Sequence, residues 1–174
     1  REGPTGVNAV NDFCEDFVKS AFKVPSADDM YNGKVIIVRQ NDSGLGVANG
    51  DVAIIFGLKT ADSDKPTWYA FIGDLKKIVP AQLLPKYDTA FAITIHQSQG
   101  SGFRDVAIFL PTLSAGSDAA SLCTRELLYT GITRSEKTCQ IFGAKDVLGM
   151  SLKTVTQRSG GLPQRLKERF SEQG

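Results

Sequence analysis

Histidine and tryptophan each occur once in this 174-residue chain, and cysteine three times. With a single imidazole and no carboxylate or thiol at ligand spacing around it, no metal site is expected, and His96 reads as a hydrogen-bonding residue of a turn or core. Cys14, Cys123 and Cys139 are odd in number and widely spaced in apolar or helical contexts. They read as reduced core thiols, not as a disulfide framework or a zinc site. No run approaches the roughly 18 apolar residues of a membrane span, and no charged-then-apolar signal region opens the chain, so a soluble cytoplasmic protein with no membrane partner is expected. A phosphate loop of the form G-x-x-x-x-G-K-[ST] is missing too, so these residues do not make a complete nucleotide motor. Charge of one sign is also lacking: 20 Lys and Arg face 19 Asp and Glu, a net of +1. Any surface for nucleic acid must then be a local cluster.

What is there is ordinary globular composition, 41% hydrophobic and 22% charged, in a length that suits one domain or one domain carrying a small inserted module. From Val7 to Phe22 the apolar positions Val10, Phe13, Cys14, Phe17, Val18 and Ala21 recur at three- and four-residue steps, which predicts an amphipathic helix packed on the core. Lys34–Arg39 and Asp51–Phe56 are β-branched strands. The dipeptide Asn49-Gly50 before the second predicts a two-residue type I′ hairpin, which needs positive φ at both positions. Strands over Thr67–Ile72 and Leu75–Val79 are expected around a Gly73-Asp74 turn, with Lys76 and Lys77 as a solvated edge. Trp68 and Tyr69 are read as one core and one surface residue, or else as a base-stacking pair. Short antiparallel strands between α/β flanks suggest a small β module inserted in a larger domain.

The most informative stretch runs from Phe91 to Arg134. Ala90–Ile95 is apolar but for Thr94, as in strands covered on both faces of a parallel sheet, and polar groups follow at its carboxyl end, where open α/β sheets place ligands. His96-Gln-Ser-Gln-Gly-Ser supplies donors for phosphate or sugar, and Gly100 and Gly102 permit close approach of the backbone. A plain capped turn is an equal reading of the same residues. Val106–Leu110 is a second buried strand. Ser114–Ser121 is a polar loop, and Thr124–Arg134 a helix in which Gly131 suggests close packing. Thr138–Phe142 and Ala144–Leu152 predict a strand and a short helix. From Arg134 onward, eight Lys or Arg face four Asp or Glu, read as a solvated last helix over Pro163–Phe170 in preference to a DNA patch.

Ala92-Ile-Thr-Ile-His-Gln-Ser-Gln-Gly-Ser resembles motif V of superfamily 1 helicases, and Leu128-Tyr-Thr-Gly-Ile-Thr-Arg-Ser-Glu-Lys137 resembles motif VI, in the family's order. Arg1–Asn8 and Val38–Asp51 are similar to segments of the RecD type, the alpha subunit of exodeoxyribonuclease V and its stand-alone relatives. The resemblance covers most of the chain to about Gly143. It implies an α/β fold: a RecA-like domain, 2A, with a parallel sheet, carrying an inserted SH3-like β-barrel, 2B. The expected division is 1–40 and 87–174 for 2A and 41–86 for 2B, and Arg1 is expected to continue a longer protein upstream.

The resemblance also implies roles. Arg134 would be the arginine finger on the transferring phosphoryl. Gln99 and Gly100 would join the nucleotide cleft, and Arg1 would be a second phosphate contact. Thr94, His96, Ser98 and Asn41 would meet DNA. The chain departs from many members at Gly102, where they carry a Glu near the nucleotide ribose. ATP and Mg²⁺ are implied as cofactors, held mainly by a first motor domain. Single-stranded or duplex DNA, the N-terminal RecA-like domain and other subunits of an exonuclease V complex are implied as partners. The expected function is ATP-dependent DNA unwinding by the whole enzyme, with the segment alone inactive. Two alternatives stand beside it: a non-catalytic module docking partner subunits or DNA, and an RNA-directed helicase of the same superfamily.

Overall fold

The computed structural model describes residues 3–60, 63–112 and 123–155. Arg1, the Ser114–Ser121 loop and the Pro163–Phe170 segment fall outside them. The order is α1 (Val7–Ala21), β1 (Val35–Val38), β2 (Val52–Thr60), β3 (Ser63–Ile72), β4 (Lys77–Pro80), a 3-10 turn at Ala81–Leu83, β5 (Tyr87–Thr89), β6 (Phe103–Phe109), α2 (Arg125–Ile132), β7 (Ser135–Phe142) and α3 (Lys145–Lys153).

Strands β1 to β5 form one open antiparallel sheet in the order β4-β3-β2-β1-β5. Successive residues point to opposite faces, so Ala53 and Ile55 of β2 and Ala70 and Ile72 of β3 fall on one side, where they join Ile36, Val38, Val47, Val79 and Ala81 in a core. Each such buried Ile or Val contributes about 1.5–3 kcal/mol relative to exposure. On the other side Ile54 pairs with Phe71 and Phe71 with Ile78, a row left exposed. Among the described residues the sheet does not close, so the SH3-like barrel is not seen here. The pairing of β5 with β1, not with β4, leaves β4 as an edge. Both β1 and β5 lie outside the 41–86 span that they flank.

Several turns differ from expectation. Asn49-Gly50 is not a two-residue hairpin. Gly50 alone has positive φ, +104°, in a turn closed by the Asp51 N–H on the Ala48 carbonyl, and residues 39–51 form a longer loop between β1 and β2. That loop is folded onto the core: Val47 is 4% exposed, and the Leu45 amide donates to Asp42 Oδ1. Lys77 Nζ donates to the Leu45 carbonyl, tying the loop to β4, while Lys76 stays exposed at the end of a four-residue turn that it closes with φ of 48°. Trp68 packs against the core beside Gly57, and Tyr69 stacks on Phe56 with centroids 5.9 Å apart, so both rings are occupied within the sheet.

Strands β6 and β7 pair in parallel, Val106 opposite Cys139 and Ile108 opposite Ile141, and the crossover between them carries α2. Ile108, Leu110, Cys123, Leu128 and Val147 form the second core. Gly131 lies against it: a Cβ there would stand 3.0 Å from both Ile108 Cδ1 and Ile95 Cδ1, which is the close packing expected of that glycine. Thr124 caps α2 by accepting the Leu127 amide.

Helix α1 forms where its period predicts, but it does not dock through its aromatic stripe. Phe13 and Phe17 are 72% and 67% exposed, whereas Asn11 is buried and Glu15 is partly so. Polar pairing explains the rotation. Glu15 bridges Lys19 and Lys34 at 3.3 and 3.8 Å, and both ammonium groups sit over the ring of buried Tyr31. Burial, and then the Glu15 carboxylate, push the Tyr31 phenol above its ordinary pKa.

Candidate functional site

The apolar run at 90–95 is not a strand. Ala90 still donates to the Val35 carbonyl, but the next ladder groups are taken by a side chain: Asn11 Nδ2 donates to the Ala92 carbonyl at 3.0 Å, and Asn11 Oδ1 accepts the Ala92 amide at 2.8 Å. Both backbone groups of Ala92 are thus satisfied by a side chain instead of a strand neighbour on that side. The chain then turns. Thr94 and Gln97 form a reciprocal box, the Thr94 amide donating to Gln97 Oε1 at 2.9 Å and the Gln97 amide to Thr94 Oγ1 at 3.3 Å. The Thr94 hydroxyl also donates to Gln97 Oε1. Gly100, with φ of 88° and open space around it, ends the turn.

This geometry sorts the expected contacts. Ser98 is 7% exposed and its hydroxyl donates to the Ile95 carbonyl at 2.8 Å, so it points inward and holds the turn. The Thr94 hydroxyl is likewise engaged within the turn. His96 and Gln99 stand exposed on it. Asn41 lies in the 39–51 loop, where its Oδ1 accepts the Asn49 amide at 2.7 Å and shapes that loop.

Thr94, His96 and Gln97 form one wall of a cavity of about 540 Å³ whose other wall is Ile37, Arg39, Asn49 and Gly50. Neither Arg39 nor Asn49 is marked as a site residue by the sequence alone. The available signal was an arginine ending a β-branched strand, which alone reads as a surface residue. The Arg39 Nε lies 3.0 Å from Asp88 Oδ2, and its amide donates to the Lys86 carbonyl.

Arg134 sits just past α2, folded back on the same turn. Its Nη1 donates to the Ser101 carbonyl at 3.2 Å, its Nε to the Thr130 carbonyl at 3.3 Å and its Nη2 to Thr133 Oγ1 at 3.4 Å. All three acceptors are neutral, and no carboxylate neutralises it among the described residues. A positioned guanidinium without a counter-ion suits phosphate oxygens, which it can bridge with its planar fork. The backbone amide of Phe103 donates to the Arg134 carbonyl, fixing the arginine to the start of β6. Beside it, a Cβ on Gly102 would stand 3.0 Å from Glu136 Oε1, so the Glu136 carboxylate fills the room a side chain at 102 would take. No group of three His, Cys, Asp or Glu residues is arranged to hold a metal among the described residues.

The turn from Thr94 to Ser101 therefore brings together two of the expected sets. One flank lines the cavity with His96, and its end carries Arg134. Gln99 and Gly100 lie between them. Arg1 lies outside the described residues.

Residues 89–141 match the family described as UvrD-like helicase C-terminal domain. The chain is 32% identical over 167 residues to the RecBCD enzyme subunit RecD of Mycolicibacterium smegmatis, covering 96% of this chain and 28% of that protein. It is 33% identical over 152 residues to RecD of Buchnera aphidicola subsp. Acyrthosiphon pisum, covering 84% and 24%. It thus spans about a quarter of the length of these curated relatives. Among solved structures, a Bacteroides Pif1 helicase in complex with ADP-AlF3 and single-stranded DNA superposes with a TM-score of 0.49 at 15% identity, over 87% of this chain and 37% of that one.

Proposed function

We propose, on the premise that this chain is RecD-type helicase sequence, that it supplies the second motor domain of an ATP-dependent DNA helicase. In this reading residues 1–40 and 87–174 form the RecA-like domain 2A, and 41–86 the inserted module 2B, which here is an open sheet completed by β1 and β5. The observation that carries the reading is the Thr94–Ser101 turn, which presents His96 to a polar cavity on one side and holds Arg134 through the Ser101 carbonyl on the other.

The residues present fit a phosphate at Arg134, whose guanidinium is preorganised by three neutral acceptors. ATP supplies the phosphoryl group when bound, and its Mg²⁺ would be held, with the β-phosphate, by a phosphate-loop domain outside these residues. Arg134 would stabilise charge on the transferring group from the facing side. Catalysis of this type is almost wholly positioning and electrostatics, so the rigid seat of Arg134 on α2 and β6 matters as much as its charge. His96 would contact the single strand, with Thr94 and Ser98 shaping the turn and Asn41 shaping the loop opposite. A change in strand occupancy at His96 would reach Arg134 through five intervening residues, which is a direct route for coupling DNA binding to hydrolysis.

The partners in this reading are single-stranded and duplex DNA, a first RecA-like domain of the same protein, and the other subunits of an exonuclease V complex in the cytoplasm. The test is a pair of variants in the full-length enzyme. His96→Ala should raise the DNA concentration needed for half-maximal stimulation of ATP turnover, and Arg134→Ala should lower turnover while leaving DNA affinity near wild type. Equal effects of both variants on both quantities would remove the separation of roles. Turnover unaffected by either would favour a non-catalytic docking module.

A further inference from the structure

The cavity opposite His96 has a charged wall that the proposed strand contacts do not use. Arg39 directly follows β1 and is held from two directions, its amide on the Lys86 carbonyl at 2.8 Å and its Nε at 3.0 Å from Asp88 Oδ2 on β5. That ion pair engages one of the three guanidinium nitrogens, which leaves the terminal pair for a ligand. Asn49 borders the same space. Its backbone amide is taken by Asn41 Oδ1 and the neighbouring Gly50 amide by the Val38 carbonyl, so the side-chain amide of Asn49 is what it can offer. Arginine, asparagine and histidine around a space of about 540 Å³ are donors without a competing apolar floor other than Ile37.

We propose that Arg39 is a phosphate-contacting residue of the single-strand track, seated by Asp88, and that the strand crosses the junction between the antiparallel sheet and the Thr94–Ser101 turn. A phosphodiester fits this wall because the two terminal guanidinium nitrogens of Arg39, set in a planar fork beside Asn49 and His96, can bridge two phosphate oxygens. Preorganisation by the ion pair also lowers the rotamer entropy lost on binding, which favours Arg39 over a mobile surface lysine. Asp88 acts here as a positioning residue. The inference rests on the reading that His96 faces single-stranded nucleic acid, and it adds a second wall to that contact.

The experiment is a salt titration of fluorescein-labelled 12-residue oligothymidylate binding to the full-length protein, followed by anisotropy without nucleotide. Each phosphate contact to a single strand contributes about 0.7 to the slope of log affinity against log salt. Arg39→Ala should weaken binding about tenfold and lower that slope by about 0.7, as for one lost phosphate contact. Arg39→Lys should retain the wild-type slope, because it keeps the charge, and shows that the alanine result is not a folding defect. His96→Ala serves as the reference for the underlying reading. If His96→Ala weakens binding and the Arg39→Ala slope equals wild type, Arg39 is no contact and the His96 reading stands. If neither variant changes affinity, both fail. Loss of slope in Arg39→Lys as great as in Arg39→Ala would also overturn the proposal, since charge would then not be the cause.

Discussion

Asn11 ties α1 to the segment that leads into the Thr94–Ser101 turn, and its removal has a calculable effect. The side chain is 8% exposed and makes two hydrogen bonds to Ala92, 81 residues away, at 3.0 and 2.8 Å. Each such bond contributes about 0.5–1.5 kcal/mol net, so Asn11→Ala should lose about 1–3 kcal/mol from the pair. Alanine is the better helix former by about 0.5 kcal/mol, which offsets part of this and leaves a net loss of about 0.5–2.5 kcal/mol. For a chain of this size each kcal/mol lowers Tm by about 2–4 °C, so a fall of about 1–10 °C is expected in a thermal melt. Asn8→Ala, at an exposed position one turn earlier on the same helix, is the control and should be neutral or slightly stabilising. Asn11→Asp should not rescue, because a carboxylate keeps the acceptor for the Ala92 amide but faces the Ala92 carbonyl without a proton to donate. If Asn11→Ala melts with Asn8→Ala, the clamp contributes nothing, and the reason given for the turn at Ala92 is wrong.

Four further outcomes follow from the structure. Gly131→Ala should cost about 1–3 kcal/mol by denaturant unfolding, because its Cβ meets Ile108 and Ile95 at 3.0 Å in a packed core. Gly102→Ala meets only the flexible carboxylate end of exposed Glu136 and should stay within about 0.5 kcal/mol of wild type. Ser98→Ala should lower stability by about 1 kcal/mol while leaving oligonucleotide affinity within about twofold, since its hydroxyl is spent on the Ile95 carbonyl. Above about pH 10 the unfolded chain ionises Tyr31 while the folded chain, with its pKa raised, does not, so stability present below that pH is lost as pH rises. Tyr31→Phe should flatten that decline relative to wild type in unfolding measured from pH 9 to 11.

Local pattern was legible where it matched a period or a motif. The helical spacing from Val10 to Ala21 marked α1, the β-branched runs marked β1 and β2, and Gly131 announced its close contact. What the pattern could not show was which face α1 would bury. Phe13 and Phe17 form the apolar stripe, yet Asn11 and Glu15 dock, because a polar side chain that satisfies buried backbone groups or balances two lysines leaves no periodic trace. The Ala90–Ile95 run failed for the same reason. Its hydrophobicity describes burial, but strand formation needs a partner for the amides, and a side chain from 81 residues upstream took that place. Asn49-Gly50 carried a hairpin signal, whereas Val47 entering the core lengthened the loop, so Gly50 supplies the only positive φ of that turn. Of the site itself, the order of His96, Gln99, Gly100 and Arg134 was readable from the two motifs. Arg39 was not, since only the fold sets the end of β1 across a cavity from His96.

The proposed role of Arg134 on the transferring phosphoryl is tested most directly by steady-state DNA-stimulated ATPase and nucleotide affinity of Arg134→Ala and Arg134→Lys in the full-length protein. Arginine fingers contribute about 10³–10⁵ in rate, so Arg134→Ala should lose at least about a hundredfold in turnover, with nucleotide affinity changed far less. Arg134→Lys should recover little, because an ammonium lacks the planar fork. Turnover within a fewfold of wild type in both variants, with folding intact, would contradict the account.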